Sequence, residues 1–139
     1  MEAISFFVPG PTVPYARSGG NGRIRFTPAP QRNFMNLVKT AAADAMADQP
    51  LLTGPLALTL RADFVRPASW SRKKAAATVW RTSKPDISNI VKIVEDAMNG
   101  VVFADDSQIV QITAQKRYAE KPGIVVTVQT LEPEEGART

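Results

Sequence analysis

The 139-residue sequence predicts a single domain of mixed α/β or α+β class. In this fold, two main helices pack on one side of a small mixed sheet. Segments with strand-like patterns and segments with helical spacing succeed one another along the chain. Glycine and proline residues separate these segments, and no internal repeat interrupts them. The hydrophobic share of 44% and the charged share of 22% are ordinary for a globular domain.

The first half of the chain predicts a strand, a loop, a helix and a second strand. Residues 3–8 are β-branched and aromatic, which favours a strand. Prolines and glycines over 9–32 indicate a loop, with a short strand at 23–26 after a turn. Apolar residues recur at helical spacing over 31–48, and leucines alternate over 55–65, which predicts a helix followed by a half-buried strand.

The second half predicts two helices and two strands. A short helix is expected over 71–79, and the most regular amphipathic pattern of the chain predicts a helix over 86–99, with Gly100 just beyond its end. Alternating residues predict strands over 108–118 and 123–131, joined by the Lys121-Pro122-Gly123 turn. We expect the tail 133–139 to be disordered.

Two residue types are absent, and their absence excludes whole classes of chemistry. Without cysteine there is no disulfide framework, thiolate metal site or thiol nucleophile. Without histidine there is no Ser-His-Asp triad and no H-E-x-x-H zinc site. An enzyme with this sequence has to use Asp, Glu, Lys, Tyr and water, which favours hard, oxygen-liganded cations such as Mg²⁺ or Mn²⁺.

The charge distribution is basic and uneven. The chain has 17 Lys and Arg residues against 13 Asp and Glu, a formal net charge of +4. Basic residues concentrate over 61–84, which is compatible with nucleic-acid binding and equally with an ordinary solvated surface. The N-terminus has no signal-peptide pattern, and no apolar run approaches the roughly 20 residues of a membrane span. We therefore expect a cytoplasmic protein without membrane contact.

A polar stripe runs beside the apolar face of the helix predicted over 86–99. At about 100° per residue, Asp86, Asn89, Lys92 and Asp96 fall on one arc, three or four residues apart. Taken alone, Asp86 at the start of the helix is better explained as a capping carboxylate than as a catalytic group.

An acidic pair, Asp105-Asp106, follows this helix, and by itself it is an ordinary turn pair. Together with Asp86 and Lys92, the pair predicts carboxylate oxygens that converge at one point and repel one another unless a divalent cation neutralises them. Such a cation can activate water and stabilise charge on a phosphoryl oxygen, and Lys92 can neutralise the same charge.

The segment KPDISNIVKIVEDAMNGVVFADDSQIV, residues 84–110, carries a family resemblance. It resembles the signature of the RusA-type Holliday junction resolvases, the crossover junction endodeoxyribonucleases. That signature is approximately K-P-D-hydrophobic-x-N-hydrophobic-x-K, then D-A-hydrophobic-N-G, then D-D-x-Q-hydrophobic. The proline- and arginine-rich N-terminal segment is also similar, and the likeness extends from residue 4 to residue 130.

The resemblance implies a RusA-like α/β homodimer that cuts two strands of a four-way DNA junction symmetrically in recombination and repair. It implies Mg²⁺, for which Mn²⁺ is expected to substitute, and a bacterial or phage-encoded protein. Position by position, the catalytic residues match Asp86, Lys92 and Asp106. The metal ligands match Asp86 and Asp106, with Asp105 beside them.

One position departs from the family pattern. Ser88 stands where the best-known form of the family has a second acid, two residues after the first. Serine offers a hydroxyl but no charge, so metal affinity is expected to fall, and Asp105 or Asp96 is a candidate to supply the missing charge. Ser88, Asn89 and Asp96 are therefore expected in supporting roles.

DNA contact is expected to come from cations that neutralise phosphates. Each candidate is as easily a solvated surface charge. Trp70 and Trp80 are candidates for stacking on exposed bases and are equally compatible with the core or a dimer interface. The cationic candidates are Arg17, Arg23, Arg25, Arg72, Lys73, Lys74 and Lys84.

Three functions remain open. The leading hypothesis is metal-dependent phosphodiester hydrolysis in branched DNA. The second is a protein that binds four-way junctions with weak or no nuclease activity, because Ser88 replaces an acid. The third, a structural or phage-assembly protein with an unrelated acidic turn, leaves the polar stripe unexplained.

Overall fold

The computed structural model describes residues 2–13 and 29–132, and its elements follow the predicted order. The short strand predicted at 23–26 and the disordered tail predicted at 133–139 lie outside the described residues, as do Arg17, Arg23 and Arg25. No helix in the described part of the chain is long and apolar enough to cross a membrane. The elements are β1 (Ala3–Pro9), α1 (Ala29–Met46), β2 (Leu56–Val65), α2 (Arg72–Ala77), α3 (Ile87–Met98), a 3₁₀ turn (Asp106–Gln108), β3 (Ile109–Ala119) and β4 (Gly123–Thr130).

The four strands form one mixed sheet in the order β1-β4-β2-β3. β4 is antiparallel to β1 and to β2, whereas β2 and β3 are parallel. The turn after β3 therefore does not close a hairpin, because it carries the chain across the end of β2 before β4 begins. A Cβ on Gly123, the first residue of β4, would lie 2.5 Å from Cζ of Phe7, so a larger residue there would require the Phe7 ring to move. The predicted mixed sheet is confirmed.

The helices α1 and α3 cover one face of the sheet, and the core lies between the sheet and these two helices. In β2, Leu56, Leu58 and Leu60 are buried and alternate with more accessible residues, as the sequence pattern predicts. The helices contribute apolar residues three or four positions apart, which is the spacing that places them on one face. The main helical core residues are Phe34, Val38, Ala42, Met46, Ile90, Ile93, Val94, Ala97 and Met98.

The end of α3 is fixed by a tight turn that positions the following acidic pair. Gly100 has a positive φ of 79°, as expected of the residue after a helix C-cap. Its N–H donates to the Phe103 carbonyl oxygen at 2.8 Å. Phe103 is fully buried and pairs with Leu52, so the chain is anchored in the core immediately before Asp105 and Asp106.

Candidate functional site

Asp86 lies at the N-cap position of α3, but its side chain does not act as a cap. Its backbone is extended, with φ −68° and ψ 139°, and its carboxylate makes no capping hydrogen bond. The carbonyl oxygen of Asp86 accepts from the N–H groups of Asn89 and Ile90 at 3.1 and 3.3 Å. The carboxylate is therefore exposed to solvent at the positive end of the helix dipole. A capping role does not account for this side chain.

Two cations that the sequence did not single out hold the loop before Asp86. Lys116, in β3, donates from Nζ to the carbonyl oxygens of Ser83 and Pro85, each at 2.9 Å. Arg81 donates from Nε and Nη2 to the carbonyl oxygen of Lys84 at 3.1 and 2.6 Å. These contacts fix the backbone that carries Asp86. The Arg81 contact is local in sequence, whereas only the topology, which places β3 beside this loop, reveals the Lys116 contacts.

A second polar cluster forms at the other end of α3. Asn99, the C-cap residue, donates from Nδ2 to Oδ2 of Asp106 at 3.1 Å. Burial raises the pKa of Glu95, and the negative charges of Asp106 and Asp96 raise it further, while Lys92 lowers it. Lys92, Asp96 and Asp106 therefore all lie near enough to Glu95 to shift its pKa. The sequence analysis missed Glu95, and the catalytic roles of Lys92 and Asp106 stay predictions.

Asp105 has a structural task in this region. It caps the 3₁₀ turn by accepting from the Ser107 N–H at 3.0 Å, and hydrogen bonds from Ser107 lower the pKa of its carboxyl. Oε1 of Gln108 accepts from the N–H groups of Ala104 and Asp105, which completes a capping box. The position of Asp105 is therefore explained by its capping role in the turn, and its role as a metal ligand stays a prediction.

The length of α3 separates Asp86 from Asp106. The helix has 12 residues and is therefore about 18 Å long. Asp86 precedes its first residue, whereas Asp106 is hydrogen-bonded to the residue after its last. Metal–oxygen distances of about 2.0–2.6 Å do not allow one cation to reach both carboxylates. Contrary to expectation, these two acids do not meet within one chain, and residues 2–13 and 29–132 contain no group of three acidic side chains placed to hold a metal.

The basic candidates within the described residues are exposed. Ser71 caps α2 by accepting from the N–H of Lys74 at 3.1 Å, and the short helix presents Arg72, Lys73 and Lys74 to solvent. Lys84, beside Asp86, is exposed as well. Their accessibility is compatible with phosphate contact, and their role in DNA binding remains a prediction.

The two tryptophans have different environments. Trp70 packs edge-on against Tyr118, with ring centroids 4.8 Å apart, and Nζ of Lys74 lies 4.7 Å from its ring. Trp80 is 58% exposed and lies beside Arg117, whose guanidinium is 5.8 Å from the indole ring. Trp70 is thus held by intramolecular packing, whereas Trp80 is the accessible aromatic group of the two.

The acidic cluster predicts a pH-dependent gain in stability for Glu95→Gln. Because the folded pKa of Glu95 is raised, its ionisation opposes folding above the unfolded pKa near 4.5, and this cost is absent at lower pH. In metal-free buffer at pH 7, we expect the variant to unfold at a higher temperature. The gain in its free energy of unfolding should be less than about 1 kcal/mol, because the site is partly solvated. The gain should vanish below pH 4.5. Exposed Glu120→Gln is the control, and a lower melting temperature for Glu95→Gln at pH 7 would contradict the cluster.

A family model and two relatives match the sequence. The model described as Endodeoxyribonuclease RusA matches residues 8–129. The chain is 32% identical over 141 residues to the uncharacterized protein YqaN of Bacillus subtilis (strain 168), covering 94% of this chain and 99% of that protein. It is 40% identical over 50 residues to the crossover junction endodeoxyribonuclease rusA of Lactococcus phage r1t, covering 35% of this chain and 38% of the phage protein. The family match spans both ends of α3.

Proposed function

The chain belongs to the endodeoxyribonuclease RusA family, and we propose that it is a Mg²⁺-dependent nuclease that resolves four-way DNA junctions by paired symmetric cuts. The observation that carries this proposal is the Asp86 carboxylate, which is exposed at a helix N-terminus and makes no capping bond. A residue that stabilised only the helix would use this carboxylate as a cap. We propose that the protein acts in the cytoplasm on bacterial or phage DNA.

The residues at the two ends of α3 fit a hard divalent cation. The chain has no histidine or cysteine, so the available ligands are oxygen atoms, which Mg²⁺ and Mn²⁺ prefer. Beside Asp106, the buried Oδ1 of Asn99 has no hydrogen-bond partner, and such an oxygen can serve as a further ligand. When bound, the cation would activate water and stabilise charge on the scissile phosphate.

The cationic residues of the chain orient the DNA around this centre. Lys92 lies on the exposed side of α3 between the two acidic ends, where its amine can neutralise a phosphate oxygen. Lys84 and the cations of α2 contact flanking phosphates and so position the strand without reading its sequence. Lys116 and Arg81 act indirectly, by holding the backbone that carries Asp86.

The separation of Asp86 and Asp106 supports a homodimer with composite sites. If α3 packs antiparallel to α3 of a second copy across a two-fold axis, the Asp86 end of each helix lies beside the Asp106 end of the other. The axis then generates two equivalent sites, as two symmetric cuts require. Val110 and Ile112, on edge strand β3, are 61% and 50% exposed, which provides apolar surface for such an interface.

Cleavage of a labelled four-way junction tests the proposed activity. With Mg²⁺ the protein should convert the junction into nicked duplexes through paired cuts at symmetric positions. Neither a linear duplex of the same sequence nor a reaction in EDTA should give product. The absence of cleavage with either Mg²⁺ or Mn²⁺, or equal cleavage of the linear duplex, would refute junction resolution.

A second candidate function, junction binding without efficient cleavage, is favoured by Ser88, which is exposed and carries no charge. Ser88→Asp distinguishes the two functions. For an active wild type, we expect the cleavage rate at saturating Mg²⁺ to change by less than about threefold and the required Mg²⁺ concentration to fall roughly tenfold, since an added carboxylate strengthens cation binding. Ser88→Asn is the uncharged control. A gain of about 100-fold at saturating Mg²⁺ would instead identify the wild type as a binding protein.

A further inference from the structure

The face of the sheet opposite α1 and α3 carries a row of hydroxyl groups across all four strands. Ser5 in β1 pairs with Thr127 in β4, which pairs with Thr59 in β2, which pairs with Thr113 in β3. The Ser5 and Thr127 hydroxyls lie 2.9 Å apart. We call this surface the open face. Its polar character contrasts with the buried face, where the neighbouring residues of the same strands form the core.

Two arginines line a groove beside this row, and one has an unsatisfied donor. Arg61 and Arg117 border two adjoining depressions of about 250 and 210 Å³, together with Thr59, Thr113 and other residues of the open face. Asp63 accepts from Nε and Nη2 of Arg61 at 3.1 and 3.3 Å, which compensates that charge. Nε of Arg117 is buried and has no hydrogen-bond partner. With Arg61 compensated by Asp63, the groove has one excess positive charge, that of Arg117.

An exposed aromatic ring adjoins the same groove. Trp80 forms an antiparallel bridge with Arg117, and residues paired in this way project from the same face of a sheet. Its ring is 58% exposed and lies 5.8 Å from the Arg117 guanidinium. A cation, a row of hydroxyls and an accessible indole are the groups that bind a phosphate and stack on a neighbouring base.

We propose that the open face binds a single DNA strand, with a backbone phosphate at Arg117 and a base stacked on Trp80. The inference rests on the proposed function for the choice of DNA as the nucleic acid. The phosphate neutralises the excess charge of Arg117, and the threonine hydroxyls donate to adjacent phosphate oxygens. Because α3 lies on the other side of the sheet, this strand is distinct from the one held at Asp86.

The first test measures binding of a labelled oligothymidine of about 12 nucleotides by fluorescence anisotropy in EDTA. Arg117→Gln should weaken binding by about tenfold and reduce the slope of log affinity against log salt by about 1. Lys39→Gln removes the same charge from exposed α1 and should leave affinity unchanged. Unchanged affinity for Arg117→Gln, or an equal loss for Lys39→Gln, would overturn the proposal. Thermal melting checks that both variants fold.

The second test uses Trp80 as its own reporter. In a Trp70→Phe protein, the oligonucleotide should quench Trp80 emission, and Arg117→Gln should weaken that response to the same extent as the anisotropy. The absence of quenching would overturn the proposal. So would quenching that increases with protein concentration in the absence of DNA, since it would show that a second copy of the chain covers this face. Asp86→Asn should bind the oligonucleotide normally. If the wild-type protein cleaves the junction but does not bind the oligonucleotide, only the open-face site is refuted. If it binds the oligonucleotide but does not cleave the junction, only the proposed nuclease activity is refuted.

Discussion

Replacing Asp86 by Asn is expected to reduce junction cleavage by at least about 1,000-fold, because a catalytic cation contributes several kcal/mol and we propose this carboxylate as one of its ligands. Asparagine has the same shape but lacks the negative charge that would hold the cation. Cleavage of the labelled junction should be measured across a range of Mg²⁺ concentrations, together with junction binding in EDTA. Binding should remain close to that of the wild type.

The fold should tolerate this substitution, which makes the result interpretable. Asn and Asp are equally good N-cap residues, and the Asp86 side chain makes no capping hydrogen bond that could be lost. Asp44→Asn is the matched control, since it removes the same charge from an exposed position on α1. Undiminished cleavage by Asp86→Asn would remove Asp86 from the catalytic machinery and leave the nuclease proposal without its main support.

Much of this fold can be predicted from the sequence because its elements have strong local patterns. The alternation of Leu56, Leu58 and Leu60 predicts β2, and the apolar spacing before Gly100 predicts α3 and its end. The strand order was not predictable in the same way. Whether β4 pairs with β3 or crosses the end of β2 depends on long-range contacts, and the Lys121-Pro122-Gly123 turn is compatible with both.

The sequence predicts the residue types of the candidate site, whereas the geometry of the site depends on the turn after α3. Helical spacing places Lys92 and Asp96 on one stripe, and in the structure both of them, like Asp106, lie near enough to Glu95 to shift its pKa. Glu95 was missed because its proximity to Asp106 is set by the turn after α3, which is anchored by Phe103 and has no periodic pattern. The position of Asp106 relative to Asp86 depends on the same turn, so the sequence did not reveal that a helix length separates them.

That separation leads to the second large effect, which requires two chains. In a dimer with composite sites, each site takes Asp86 from one copy and Asp106 from the other. Co-expressed Asp86→Asn and Asp106→Asn chains should therefore form mixed dimers with one intact site and one doubly substituted site. If chains assort randomly, about half of the dimers are mixed, so cleavage should recover to roughly one quarter of the wild-type rate from near zero for either variant alone.

The products of the mixed dimers and a reciprocal mixture separate this arrangement from sites contained within single chains. One intact site per dimer should nick the junction on one strand without the paired second cut. Wild-type chains paired with chains carrying both substitutions should give inactive mixed dimers if sites are composite, because each site then lacks one carboxylate. If each chain holds its own site, the outcomes reverse: the first mixture stays inactive, and the second retains one working site per mixed dimer. A reversal would require Asp86 and Asp106 to act in one chain, against the length of α3 that separates them.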